Sequence, residues 1–129
     1  MMPINVDWDD DKHTIVRLEL DGSWDWKEYD RAIEEAFRMI RSIPEPVDMM
    51  LNLSNSDPVP PLKSLKSFQR TLSLKPTNLR MFVAVGSDAF ACGLCASFLK
   101  ALLANTPEQA RALLASRAKS GTIESPAAA

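Results

Sequence analysis

No apolar run in this sequence approaches the ~20 residues that a membrane-spanning helix needs. Its first residues, Met1-Met2-Pro3-Ile4-Asn5, lack the charged and apolar regions of a secretory signal. The expectation is therefore a soluble cytoplasmic protein with reduced cysteines and no membrane partner. A basic surplus is missing as well. The 15 lysines and arginines stand against 17 aspartates and glutamates, for a net charge of -2, which argues against a nucleic-acid partner. Phosphate loops, dinucleotide glycine fingerprints and nucleophile elbows are absent. Two cysteines and a distant His13 do not supply four zinc ligands. Asp7, Asp9, Asp10 and Asp11 lack the glycine-bearing spacing of a calcium loop, and read as a solvated turn. A histidine without a neighbouring Ser or Cys nucleophile reads as a surface residue rather than a base. Neither metal nor cofactor is implied, and there are no internal repeats.

What is there has the balance of an ordinary globular domain: 129 residues, 46% hydrophobic and 25% charged. That length suits one domain with a core large enough to need no staple. Ile4, Val6 and Trp8 alternate with Asn5 and Asp7. The alternation resumes from Thr14 to Leu20, so the two runs predict a β-hairpin closed by the acidic turn. Ser23 or Asp25 can cap a following helix. In that helix Tyr29, Ile33, Ala36, Phe37 and Ile40 form one apolar stripe, and Pro44 and Pro46 stop it. Val47 to Leu53 (VDMMLNL) reads as a buried central strand.

The loop from Ser54 to Pro61 contains three prolines and cannot be helical. Leu62, Leu65, Phe68, Gln69 and Leu72 predict a second amphipathic helix, and Leu79 to Val85 a second buried strand. Phe90, Leu94 and Phe98 predict a third helix. Ala101 to Ala104 fits either its continuation or a short edge strand. Thr106-Pro107-Glu108 starts a fourth helix, Pro107 to Ala118, with Thr as cap and Pro at the first position. The domain is expected over 4–118 and a flexible tail over 119–129. Strands separated by helices imply right-handed crossovers, so the fold class is α/β: a mixed, mostly parallel sheet opened by a hairpin, with about four helices. Leu18, Phe37, Ile40, Leu51, Leu53, Phe82, Val83 and Val85 are expected in the core.

Several pieces carry a resemblance: Gly22-Ser23-Trp24-Asp25-Trp26, Ala36-Phe37-Arg38-Met39-Ile40, Val47 to Ser54, Val83-Ala84-Val85-Gly86, and Thr106 to Leu114. Together they resemble the STAS domain of anti-sigma-factor antagonists, and more closely its SpoIIAA-like branch of small stand-alone bacterial proteins. The resemblance spans Ile4 to about Arg117. It implies a non-enzymatic regulatory domain that acts through a protein partner, with a second copy of the chain as one option. It also implies a phosphorylatable hydroxyl after the central strand, where a helix N-terminus would favour phosphate. The matching stretch, Ser54 to Pro61, departs from the family's Asp-Ser-Ser/Thr-Gly pattern, and Asn52 stands where the family has aspartate. Ser54, Ser56 and Ser64 are the phosphorylation candidates. Ser56, Asp57, Val59, Leu62 and Trp24 are the partner-contact candidates.

Two other function classes compete. The same broad fold can enclose a small molecule or lipid in an apolar cavity. Cys92-Gly93-Leu94-Cys95 could be a thiol redox pair, although the chain after it reads as helix and cannot complete a thioredoxin-like fold. Two small hydrophobes packed in a helix is the alternative for those cysteines. In a helix Trp24 and Trp26 would point about 200° apart, leaving at least one partly exposed. Core packing is the first reading of that pair, and an interface anchor the second.

Overall fold

A computed structural model describes residues 4–58, 64–86, 93, 95–97 and 99–128; of 64, 65 and 118–128 it describes the backbone alone. Strands β1 (Ile4–Trp8) and β2 (Ile15–Leu20) form the expected antiparallel hairpin, with Ile4 opposite Leu20 and Trp8 opposite Val16. Helix α1 (Trp26–Arg41), strand β3 (Val47–Asn52), helix α2 (Ser64–Leu74) and strand β4 (Leu79–Val85) follow. Strand β5 (Leu102–Ala104) and helix α3 (Pro107–Ala128) complete the order. A further helical stretch includes residues 93, 95–97 and 99. The strands lie in the sheet order β1-β2-β3-β4-β5, parallel from β2 onward. The fold is therefore α/β with a mixed, mostly parallel sheet, and Leu102 to Ala104 is an edge strand rather than helix.

Each element follows from local chemistry. Asp25 caps α1: its carboxylate accepts from the Glu28 N–H (2.7 Å), and the Glu28 carboxylate accepts from the Asp25 N–H (3.0 Å). This reciprocal box satisfies two amides that the helix itself cannot. Thr106 does the same for α3, accepting from Gln109 N–H at 3.1 Å, while Asn105 N–H donates to the Gln109 side chain. The α3 backbone continues to Ala128, past the Ala118 end that the apolar pattern suggests.

The sheet has a core on each face. On the front, Val16, Leu18, Leu20, Met49, Leu51, Phe82 and Ala84 pack against Ile33, Phe37 and Ile40 of α1 and Phe68 of α2. On the back, Met50, Val83 and Val85 pack against Ala110 and Leu114 of α3. All six residues of β3 are buried, which is why that strand reads as a nearly continuous apolar run. The eight expected core residues are all buried. Between Val47 and Met49 the register with β4 shifts: these residues face Leu79 and Phe82, so β4 carries one extra residue. The bulge keeps both Leu79 and Phe82 in the front core.

Two sequence expectations need correction. In α2, Leu72 is 45% exposed and Gln69 is exposed, while Ser67 and Thr71 are buried beside Phe68. Tyr29 of α1 explains the rotation, because its buried hydroxyl lies 3.0 Å from Thr71 Oγ1, which donates to Ser67 O at 2.9 Å. The helix thus turns a polar strip inward to meet a tyrosine. Burial pushes the Tyr29 phenol well above its ordinary range, so it stays protonated.

The acidic turn is the second correction, because Asp9 is not solvated. Its side chain is 1% exposed and accepts from Arg17 Nη1 at 2.7 Å, and from Arg111 Nε and Nη2 at 2.8 and 2.9 Å. The Arg111 and Arg17 guanidinium groups outweigh burial and hold the Asp9 carboxyl below its ordinary value. Asp10 closes the turn by accepting from the Thr14 and Ile15 amides and the Thr14 hydroxyl. His13, at φ 57°, is exposed and stacks on Trp8 with ring centroids 4.4 Å apart. It lies at the surface, as expected.

Candidate functional site

In a parallel sheet, ligands and partners gather at the carboxyl ends of the strands. Here Leu20, Asn52 and Val85 end β2, β3 and β4 on the same edge. Two segments leave that edge side by side: residues 21–24 after β2, and 53–58 after β3. They are joined by a backbone ladder. Gly22 N–H donates to Asn55 O and Asp57 N–H donates to Gly22 O, each at 2.9 Å. Gly22 makes an isolated parallel bridge with Ser56. Gly22 has φ 62°, a left-handed conformation that side chains resist. Leu53 N–H continues the sheet by donating to Val85 O at 2.7 Å.

Side chains complete the clamp. Trp24 Nε1 donates to Ser56 Oγ (2.8 Å), and Ser56 Oγ donates to Asp57 O (2.7 Å). Ser23 Oγ donates to Asp57 Oδ2 (2.7 Å). Asn52, though buried, accepts from Ser54 N–H at 3.1 Å and so starts the turn. Gly86 lies beneath, at φ 148°; a Cβ there would stand 3.4 Å from the Leu53 carbonyl carbon. That contact is ordinary, so it is the φ of 148°, which L side chains rarely adopt, that favours glycine there.

Trp24 and Trp26 are 7% and 6% exposed, so neither is the half-exposed anchor that the helical spacing suggests. The physical reason is that α1 begins at Trp26, so Trp24 lies outside the helix and its direction is free of the helical wheel. The two indoles meet edge to face at 5.0 Å, and Trp26 meets Tyr29 and Phe68 at 5.2 and 5.5 Å. This aromatic cluster runs from the 53–58 loop to α1 and α2.

Of the candidate residues, the structure brings Trp24, Ser56 and Asp57 into one hydrogen-bonded group. Ser54, Asn55, Asp57 and Pro58 are exposed, whereas Ser56 is half-buried. Ser64 is the first residue of α2. Val59 and Leu62 lie outside the described residues, as do Phe90, Leu94 and Phe98 of the expected third helix. So does Cys92; Cys95 is buried in the front core. Gly22 and Ser23, the second half of the clamp, are absent from the candidate residues. Their only sequence signal is position, directly after a strand that ends on the same sheet edge.

No family model matches the chain, and no curated protein matches it. Among the described residues, no group of three or more His, Cys, Asp or Glu could hold a metal ion. Among them, too, no helix is long and apolar enough to cross a membrane.

Proposed function

We propose that this is a non-enzymatic, cytoplasmic interaction domain of the SpoIIAA-like, STAS type, and that a protein partner docks on residues 54–58. The observation that carries this reading is the clamp. A loop with four exposed residues is held in one shape by Gly22, Ser23 and Trp24, so docking loses little conformational entropy. Its place at the carboxyl edge of the sheet agrees with this reading.

The same geometry ranks the hydroxyls. Ser56 Oγ already accepts from Trp24 and donates to Asp57 O, and a phosphate there would break both bonds beside a carboxylate. Ser54 is exposed, and it is the residue on this loop that a kinase could reach without dismantling the clamp. Trp24 acts by holding Ser56 rather than by touching the partner. Burial of Cys95 favours packing over thiol exchange.

Affinity capture from a cell lysate tests the docking surface. The wild-type chain and an Asn55→Lys/Asp57→Lys variant of unchanged thermal midpoint are compared as baits. A partner held by the wild type and lost with the variant supports the reading; equal recovery on both removes this loop from the interface.

A further inference from the structure

The two edges of the sheet are finished differently. β1 forms one edge and β5 the other. An open edge carries unpaired N–H and C=O groups, which folds defend with charge or by blocking a donor. β1 has both defences. Asp9 N–H donates to Ile15 O in β2, so the alternation of the strand points Trp8 N–H outward. The Asp7 carboxylate takes that donor at 2.8 Å, and Asp7 itself is exposed. β5 has neither defence. Residues 101–104 read Ala-Leu-Leu-Ala, without a charge. Ala104 O accepts from Gly86 N–H beside β4 at 3.0 Å, so Leu103 presents its own N–H and C=O to the open side. Among the described residues neither group has a partner there.

The same edge is apolar. The Leu103 side chain is 48% exposed. Leu102 points to the back of the sheet and is only half-buried against the rear core, and so is Leu113 of α3. Arg111 reaches Asp9 on the hairpin side of α3, and Leu113 lies about 200° further round the helix, on the β5 side. The chain advances about 10 Å from Leu103 to the turn before α3. By Leu113 the helix has come back about 9 Å, which puts the two leucines at one level. An undefended apolar edge of this kind invites a second strand.

We infer that β5 is the contact between two copies of this chain. β5 of one copy pairs antiparallel with β5 of the other, about a two-fold axis between the two Leu103 residues. Each Leu103 N–H donates to the partner's Leu103 carbonyl, and Leu102, Leu103 and Leu113 pack against their counterparts, so one sheet runs through both copies. The neighbouring donors select this occupant over an extended peptide. Ala101 N–H is taken by Cys95 O at 3.3 Å, and Asn105 N–H by the Gln109 side chain at 2.6 Å. A peptide strand draws its affinity from a run of main-chain bonds, and this edge offers only the two of Leu103. A two-fold contact needs no more, because one residue supplies both donor and acceptor and α3 supplies further apolar area. The surface shares no residue with the 54–58 loop and does not depend on that reading.

Sedimentation velocity tests the contact. The wild-type chain is expected to pass from monomer to dimer as its concentration rises to about 0.5 mM, since a specific interface of small area dissociates in the micromolar range. Its Leu103 amide should exchange about tenfold more slowly in the concentrated sample than in the dilute one. Leu103→Glu and Leu103→Lys change an exposed side chain, so each should keep the thermal midpoint of the dilute wild type. Each should stay monomeric, because like charges meet at the axis. An equimolar mixture of the two should recover the dimer, because residue 103 of one copy meets residue 103 of the other. The inference is overturned if the wild type stays monomeric at that concentration, if either variant dimerises as the wild type does, or if the mixture remains monomeric. A monomeric wild type whose Leu103 amide is protected by a Thr-Val-Thr-Val-Thr-Val peptide would assign the edge to a peptide strand, and that also overturns it.

Discussion

Asp9 and Arg111 are 102 residues apart in the chain, yet they form a two-pronged ion pair in which both carboxylate oxygens accept from one guanidinium. Arg17 adds a third bond from β2. The group ties the hairpin turn to α3. Asp9→Asn should therefore destabilise the fold. The arginine side chains remain 25% and 41% exposed, so solvent screening limits the loss to about 1–2 kcal/mol. The Asp9 carboxyl is held below its ordinary value, so its contribution is complete above the unfolded value, about pH 4, and is lost as pH falls through the lower folded value. Urea midpoints measured from pH 7 down to pH 2.5 (roughly the range over which carboxylates titrate) should fall more steeply in the wild type than in Asp9→Asn.

Asp48 should behave in the opposite sense. It is 7% exposed beneath α3, and burial raises its carboxyl although Arg80 Nη2 donates to it at 2.7 Å. The folded state therefore holds this proton more tightly than the unfolded chain does, and the ionised form opposes folding at neutral pH. Arg80 keeps a second acceptor, Leu114 O, at 3.1 Å. Asp48→Asn should hold or raise the urea midpoint at pH 7. A clear fall would show that the ion pair outweighs its desolvation.

Asn78 closes the opposite edge of the sheet. Its Nδ2 lies within 3.0 Å of three carbonyl oxygens, those of Ile40, Ile43 and Glu45, at the end of α1 and the turn after it. Asn78→Ala strands acceptors that α1 cannot satisfy internally. A loss of about 1–3 kcal/mol in chemical denaturation is expected, with earlier amide exchange in the last turn of α1. Asn78→Asp, which offers no donor, should be no better.

The two glycines of the clamp hold two different positive-φ conformations. A Cβ on Gly22 would meet nothing within 4 Å, so Gly22→Ala carries only the left-handed conformation, about 1 kcal/mol. A Cβ on Gly86 would make only ordinary contact with Leu53, but a φ of 148° is harder for a side chain to adopt than 62°, so Gly86→Ala should cost more, about 1–3 kcal/mol. Comparable midpoints for the two variants would contradict this ranking.

Trp24→Phe isolates one bond of the clamp. The ring stays in the aromatic cluster, while the donor to Ser56 Oγ disappears. Hydrogen exchange at the Gly22 and Asp57 amides, which form the ladder, should rise while exchange in β3 stays slow. Global stability should fall by about 0.5–1.5 kcal/mol.

Which features were legible in the sequence follows from the range of the interactions involved. The hairpin, α1 with its Asp25 cap, and the doubly buried β3 rest on alternation and capping within a few residues, and all are found. The Ser54–Pro58 turn and the Trp24–Ser56–Asp57 group gather residues that the pattern had singled out separately. Asp9 was unreadable because an acidic cluster looks solvated until Arg111 arrives from the far end of the chain. The inward strip of α2 was hidden for a related reason: Ser67 and Thr71 look like surface residues until Tyr29 gives them a partner.

Among the described residues, helix α3 alone covers the back of β3 and β4. During synthesis the front core has its helices once residue 99 has emerged, but the rear strip of Met50, Val83 and Val85 stays bare until Leu114 has been added. A growing chain of this protein thus passes through a stage with one finished face and one adhesive face. Ribosome-bound chains that have emerged as far as residue 105 should recruit holdase chaperones, and release should coincide with docking of the final helix.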